Sequence, residues 1–192
     1  MRGDCFGRGL LGKRRSWHFL SSGAVCPPTA WRRHEAGLFF LDFFREDGFR
    51  WTTVELDEGE PIPELDPFDL MVVMGGPQDV WQEDQYPWFL EEKAAIRKFV
   101  LDMERPYLGI CLGHQLLADA TGERVGLAKS PEVGVLTVSR TEAGRHDRVL
   151  SALPDPMTVL QWHGAEVTAI PVCVPKTSST FDWLKESPNV SA

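Results

Sequence analysis

A turn built around a cysteine, at residues 106–115, is the sequence feature that most constrains how this chain can fold. Residues 107–110 have the apolar character of the end of a buried strand, and residues 116–120 continue with the apolar spacing of a helix. Cys111 therefore falls where the strand turns into the helix, with a glycine two positions before it and another two positions after it. Because glycines relieve crowding on both sides of such a turn, the pattern predicts a nucleophile elbow with an accessible thiol.

The position of Cys111 also predicts its chemistry. A helix N-terminus carries partial positive charge, which lowers the pKa of a thiol and raises the fraction of reactive thiolate. The backbone N–H of Leu112 is expected to point at the oxyanion that develops on an attacked carbonyl. A lone cysteine in an apolar run is more often an ordinary buried residue, but the complete strand, glycine and helix pattern favours a nucleophile.

The seven residues 109–115, Gly-Ile-Cys-Leu-Gly-His-Gln, resemble the nucleophile motif of class I (triad-type) glutamine amidotransferase domains, Gly-x-Cys-x-Gly-His-Gln. The resemblance implies that Cys111 attacks the side-chain amide of glutamine. It also implies that Leu112 N–H is an oxyanion donor and that Gln115 forms part of the glutamine pocket. His114 receives no base role, since a residue in the same turn is expected to point into the helix start.

A second motif follows another apolar run. Residues 68–74 are apolar except for Asp69 and end in Gly75-Gly76-Pro77, which predicts a central parallel strand with a glycine turn at its carboxyl end. A tight turn would explain the glycines by itself. Beside the elbow, however, the segment resembles the family's oxyanion strand, which implies that an N–H of Gly75 or Gly76 faces the amide carbonyl oxygen. Two donors polarise such a carbonyl, and the two motifs would supply one each.

The order of predicted elements indicates the fold. Strands are predicted at 51–56, 68–74, 107–110, 131–138 and 158–162, and helices at 38–46, 88–103 and 116–120. This alternation predicts an α/β, doubly wound, mostly parallel sheet with flanking helices, which the resemblance makes a flavodoxin-like class I glutamine amidotransferase fold. The predicted division is a leader at 1–34, an amidotransferase-like domain at 35–171 and an atypical tail at 172–192.

The leader and the tail depart from the family pattern, so the fold is expected to be incomplete at its ends. Residues 1–30 are rich in arginine and almost free of acids, which indicates a disordered leader, a transit peptide or sequence upstream of the true start. No strand is predicted before Trp31, although the family's domain begins with one. After Pro171 the sequence contains no histidine, which is expected of a truncated or replaced C-terminus.

The segment 161–167 bears on the catalytic base. It resembles the Trp-His-Gly-Asp segment of the GMP synthase-like subgroup, with Ala165 in place of Asp. By that resemblance His163 lines the site without being the base. The family's base comes from a His-x-Glu pair that this sequence lacks. A recruited His163, with Glu166 to orient it, is the substitute that the sequence offers.

Composition narrows the class of partner. Residues 1–33 hold seven Lys or Arg against one acid, so the rest of the 192-residue chain carries a net charge of −14. An acidic body argues against nucleic acid, and no apolar run is long enough to span a membrane, so a cytoplasmic protein is expected. The four cysteines lack Cys-x-x-Cys spacing: Cys5, Cys26, Cys111 and Cys173. Neither a metal nor a cofactor is expected.

Three functions remain open from the sequence. The first is a glutamine amidotransferase, or a related γ-glutamyl hydrolase, that releases ammonia through a thioester on Cys111. The second is a catalytically impaired relative that keeps the pocket as a binding or regulatory module. The third is a small cysteine hydrolase that uses His163. The expected substrate is glutamine or a γ-glutamyl compound, and a separate synthetase or acceptor is the possible protein partner.

Overall fold

The structure is a computed structural model that describes residues 16–21, 42, 44–46, 48–147, 149–169 and 184–186. The strands in these ranges are β1 (Ser16–Ser21), β2 (Arg50–Glu55), β3 (Leu70–Val73), β4 (Tyr107–Gly109), β5 (Arg124–Arg140), β6 (Met157–Ala169) and β7 (Leu184–Glu186). The α-helices are α1 (Trp88–Arg97), which continues into a π-helical turn at Lys98–Asp102, α2 (Leu112–Ala120) and α3 (Glu142–His146). Short 3-10 helices lie at Leu56–Glu58 and Leu150–Ala152, and residues 42 and 44–46, within the predicted helix 38–46, are also helical. The described residues form two compact units: 16–125 with 167–169, and 126–166 with 184–186.

The first unit, here called the parallel-sheet unit, is organised around four parallel strands in the order β2-β1-β3-β4. Val73 of β3 is in register with Gly109 of β4, and the N–H of Ile110 donates to the carbonyl of Val73 at 2.9 Å. The carboxyl ends of these two parallel strands therefore meet at one edge of the sheet. Ligands in open α/β sheets bind at that edge.

The core of this unit lies between the sheet and its helices. Met71, Val72 and Val73 of β3 are fully buried, as expected for a central parallel strand that is covered on both faces. Helices α1 and α2 pack against each other and supply further fully buried side chains: Phe89, Ile96, Leu112 and Leu116. This packing anchors the two elements that meet at the elbow: β4, which ends there, and α2, which begins there.

The structure confirms the predicted α/β class and most of its elements. β2, β3, α1 and α2 lie where the apolar patterns place them. One prediction is wrong: the sequence analysis predicts no strand before Trp31, yet Ser16–Ser21 form β1 between β2 and β3. The β-forming Trp17 and Phe19 lie within that strand, in surroundings whose arginine-rich composition obscures the signal. The division into leader, domain and tail remains a prediction.

The second unit, here called the β5–β7 unit, contains a three-stranded sheet in the order β6-β5-β7. β7 runs antiparallel to β5, with Val138 in register with Glu186. Exposure alternates along β5 and β6, and the more exposed side carries large apolar residues. We call these residues the exposed apolar face: Val133, Val135, Leu160 and Trp162.

No helix in the described ranges has both the length and the apolar character that a membrane span requires.

Candidate active site

Cys111 lies at the turn between β4 and α2, as the sequence predicts. Its backbone has φ 55° and ψ −111°, a region that residues with a side chain rarely occupy. Its thiol is free and exposed, and its carbonyl accepts the N–H of His114 at 3.0 Å in the first turn of α2. The turn therefore presents a thiol at the carboxyl edge of the parallel sheet, in the geometry of a nucleophile elbow.

Two glycines make this turn possible. A Cβ on Gly109 would lie 2.7 Å from the carbonyl oxygen of Gly113, and a Cβ on Gly113 would lie 2.2 Å from the carbonyl oxygen of Val73. Both distances are far shorter than van der Waals contact. The first turn of α2 is therefore in direct backbone contact with β3 on one side and β4 on the other, which no larger residue would permit.

Gly75 lies beside the thiol. A Cβ placed on Gly75 would be 3.1 Å from Cβ of Cys111 and 3.7 Å from its Sγ. Gly75 and Gly76 are both half-buried in the turn that follows β3. The two predicted motifs thus lie side by side, and the approach is so close that a side chain at position 75 would crowd Cys111.

The pKa of the Cys111 thiol contradicts one prediction. Desolvation by the surrounding chain raises this pKa above its ordinary value, and the hydrogen bond from the Leu112 N–H lowers it by less. The sequence analysis expects a net lowering from the helix N-terminus, and that expectation is wrong. The donation from Leu112 is present, but the desolvation of the thiol outweighs it.

The other residues of the motif lie in the first turn of α2. Gln115 is buried, and its N–H donates to the Cys111 carbonyl at 3.2 Å. His114 is half-buried, one residue before it. The role of Gln115 in a glutamine pocket therefore remains a prediction.

His163 is held by an acidic partner, but not by the predicted one. Its Nε2 lies 2.9 Å from Oε2 of Glu132 on β5, and its Nδ1 lies 3.2 Å from the carbonyl oxygen of Ala165. Glu166 is exposed, and the carboxylate that contacts His163 in the structure is that of Glu132 instead. Successive side chains alternate between the faces of a strand, so residues three apart lie on opposite faces.

Glu132 is the functional candidate that the sequence analysis missed. It lies in the predicted strand 131–138, but a pair across two strands depends on their register, which the sequence does not specify. Glu132 and His163 belong to the β5–β7 unit, whereas Cys111 and Gly75 belong to the parallel-sheet unit. Within the described ranges, no group of three or more His, Cys, Asp or Glu side chains could hold a metal ion.

Comparison with known proteins gives several similar sequences. The chain is 35% identical over 129 residues to the glutamine amidotransferase-like protein YfeJ of Salmonella typhimurium, covering 65% of this chain and 53% of that protein. It is 33% identical to the glutamine-hydrolysing GMP synthase subunit of Sulfolobus acidocaldarius, over 62% of this chain and 58% of the relative. It is 30% identical to γ-glutamyl peptidase 4 of Arabidopsis thaliana, over 69% of this chain and 53% of the relative. The chain thus spans about half the length of these curated relatives.

Solved structures with a similar fold are also glutamine amidotransferases. The structure resembles a crystal structure of a glutamine amidotransferase from Thermotoga maritima with a TM-score of 0.63 and 26% sequence identity, covering 80% of this chain and 62% of that one. A sequence model of the family "Glutamine amidotransferase class-I" matches residues 41–185, which include the elbow, the Gly75 turn and His163. The chain therefore belongs to the class I glutamine amidotransferase family.

Proposed function

We propose that this chain binds glutamine or a γ-glutamyl compound at the elbow and uses Cys111 as a nucleophile on the side-chain carbonyl. The observation that carries the proposal is the position of Gly75, whose missing Cβ would fall 3.1 Å from Cβ of Cys111. This close approach supports the backbone of the Gly75 turn as a source of N–H donors to a carbonyl that binds beside the sulfur. The family membership supports the class of substrate.

In the proposed reaction, the Cys111 sulfur forms a bond to the amide carbon of glutamine, and the carbonyl oxygen becomes an oxyanion. The N–H groups of Leu112 and of Gly75 or Gly76 are the proposed donors to that oxyanion. The carbon–nitrogen bond then breaks, and the nitrogen leaves as ammonia after it accepts a proton. Water hydrolyses the resulting thioester to glutamate and returns the thiol.

We propose that turnover by this chain is low. Protonation of the leaving nitrogen and activation of the hydrolytic water both need an acid–base group, and the sequence has no His-x-Glu pair. Such assistance contributes about 10²–10⁴ in rate. The raised pKa of the Cys111 thiol acts in the same direction, because less thiolate is present at neutral pH.

The similar proteins support two alternative classes of substrate. The GMP synthase relative is named as glutamine-hydrolysing, which supports glutamine as the substrate and a separate synthetase as the partner that uses the ammonia. The similarity to γ-glutamyl peptidase 4 supports a γ-glutamyl compound instead. Ammonia release from glutamine and p-nitroaniline release from γ-glutamyl-p-nitroanilide, measured on the same preparation, separate the two.

The decisive experiment compares ammonia release from glutamine by the wild type, Cys111→Ala and His163→Ala. His146→Ala is the matched control, because His146 is an exposed histidine that also pairs with a glutamate, Glu142, at 2.9 Å. We expect slow release by the wild type and none by Cys111→Ala. Robust activity that is lost in His163→Ala but kept in His146→Ala would instead make His163 the general base. Slow release that Cys111→Ala leaves unchanged would contradict the proposed nucleophile.

A binding module is the second candidate, and the absence of a His-x-Glu pair from the sequence favours it. Such a module would bind glutamine without consuming it. Isothermal titration of glutamine, with glutamate as the comparison ligand, tests this alternative. Saturable binding of glutamine to Cys111→Ala without ammonia release by the wild type would support the module over the enzyme.

A further inference from the structure

The side chain of Tyr107 reaches from β4 to the first turn of α2. Its hydroxyl donates a hydrogen bond to the carbonyl oxygen of Gly113 at 2.7 Å. Tyr107 and Gly109 are two residues apart on the same strand, so their side-chain positions share one face. Both therefore meet the same turn: Gly109 through backbone contact at Gly113 and His114, and Tyr107 through its hydroxyl.

This hydrogen bond completes the support of the turn that follows Cys111. The Val73 backbone of β3 stands against Gly113, and the Gly109 backbone of β4 stands against Gly113 and His114. These contacts are non-directional close packing between backbone atoms. Gly113 is held by two directional bonds: its N–H donates to the Ile110 carbonyl at 3.0 Å, and its own carbonyl accepts from the Tyr107 hydroxyl, which ties the turn to β4.

The surroundings of Tyr107 favour its role as a hydrogen-bond donor. Desolvation, and then the nearby Glu92 carboxyl, raise the pKa of Tyr107 well above its ordinary value. The phenol therefore keeps its proton at neutral pH and can donate it in a hydrogen bond. Glu92 of α1 has no exposed surface, and neither of its carboxylate oxygens has a hydrogen-bond partner among the described residues. The hydroxyl of Tyr107 donates to the Gly113 carbonyl rather than to Glu92.

We propose that Tyr107 is a positioning residue for Cys111, which acts by fixing the first turn of α2 through its bond to Gly113. The turn carries the Leu112 N–H, which donates to the Cys111 sulfur and is the proposed oxyanion donor. The Gly113 carbonyl and the Leu112 N–H belong to the same first turn of α2, two peptide units apart, so a bond that holds the carbonyl restrains the turn that carries the N–H. This inference rests on the proposed role of Cys111 as the nucleophile.

The test is the rate at which iodoacetamide alkylates Cys111 as a function of pH, read by mass spectrometry of the Cys111 peptide. Tyr107→Phe removes the hydroxyl and keeps the ring. Tyr86→Phe is the matched control, because Tyr86 is the other tyrosine of the chain and packs its ring on Trp88 and Phe89 in the same unit. Rates are compared at a temperature where melting curves show all variants folded. A 4-fluorophenylalanine at position 107 keeps the length of the side chain without the donor, and it replaces Tyr107→Phe if that variant does not fold.

We expect Tyr107→Phe to slow alkylation at neutral pH by about two- to tenfold, the range that the loss of one net hydrogen bond produces. The midpoint of the pH profile should rise, because the thiolate loses part of the Leu112 donation. Tyr86→Phe should match the wild type in both. A wild-type profile for Tyr107→Phe, or the same change in both variants, would overturn the inference.

Failure of this inference is distinguishable from failure of the proposed function. Iodoacetamide needs no glutamine pocket, so its reaction reports only on the thiol and its turn. If the wild type releases no ammonia and binds no glutamine, the proposed function is wrong. The alkylation rates of the wild type and Tyr107→Phe would still show whether Tyr107 positions Cys111.

Discussion

The backbone of Gly113 lies directly against the carbonyl of Val73, at a distance where a Cβ on Gly113 would stand 2.2 Å from the carbonyl oxygen. The atoms in the way belong to the backbone of a fully buried central strand, so they cannot move aside as a flexible side chain would. The close approach of the elbow to β3 therefore requires that residue 113 have no side chain.

Gly113→Ala is expected to lower the free energy of unfolding by about 1–3 kcal/mol or more, because the added methyl overpacks the junction between β3 and α2. Urea denaturation followed by circular dichroism measures the change. Gly164→Ala is the control, since nothing lies within 4 Å of a Cβ at Gly164. Equal stabilities for the two variants would show that the contact with Val73 relaxes freely.

Cys111 is expected to be the most reactive of the four thiols toward a glutamine-analogue chloroketone, because it is an exposed residue at the turn that carries the proposed oxyanion donors. Its reaction should accelerate as the pH rises into the alkaline range, since burial raises the pKa of the thiol and the thiolate is the reactive form. Peptide mass spectrometry after brief labelling gives the site and the pH dependence. Labelling spread evenly over Cys5, Cys26 and Cys173 would contradict a dedicated nucleophile.

Glu92 makes stability depend on pH. Burial raises the pKa of its carboxyl from 4.5 to about 8, so the folded chain holds a proton that the unfolded chain releases between these values. Stability from this group is therefore present below pH 4.5 and is lost as the pH rises to 8. The loss amounts to roughly 5 kcal/mol above that pH.

Glu92→Gln removes this titration, so the stability of the variant relative to the wild type should increase from pH 5 to pH 9. Urea denaturation at several pH values measures the difference. Glu91→Gln is the matched control, because Glu91 is the exposed neighbour on the same helix. Stabilities of wild type and Glu92→Gln that run parallel across this pH range would show that Glu92 is charged in the folded protein.

The exposed apolar face is expected to cause self-association. Leu160 is 70% exposed and Trp162 is 73% exposed, and Val133 and Val135 lie on the neighbouring strand. Contiguous apolar surface of this kind favours association in water. Light scattering at increasing concentration should show oligomers for the wild type and fewer for Leu160→Thr/Trp162→Thr. Leu90→Thr, which removes an exposed leucine from α1, should leave the association unchanged, and a monodisperse wild-type monomer would refute the prediction.

The local patterns of the sequence predict the parallel-sheet unit well. The apolar run before Gly75 and the glycines around Cys111 each have a local physical cause, so the strand, the turn and the helix start can be recognised from a few residues. The strand Ser16–Ser21 cannot be recognised in this way, because a parallel strand is stabilised by its neighbours and the segment carries only a short β-forming signal.

The site is harder to predict wherever it depends on contacts between distant residues. The pairing of His163 with Glu132 follows from strand register, and the bond from Tyr107 to Gly113 follows from how the elbow packs. The direction of the Cys111 pKa shift is a balance between desolvation and one backbone donor, and the sequence shows only the donor. Spacing rules report neither register nor the amount of water around a sulfur.

The backbone of Cys111, at φ 55° and ψ −111°, has a consequence for protein engineering. Glycine adopts such a conformation without steric cost, whereas a side chain there costs on the order of 1–3 kcal/mol. A redesign that selects residues by backbone preference would therefore replace Cys111 with glycine and obtain a more thermostable protein that has lost its thiol. Stabilisation campaigns on this chain should hold position 111 fixed and seek their gains at Glu92.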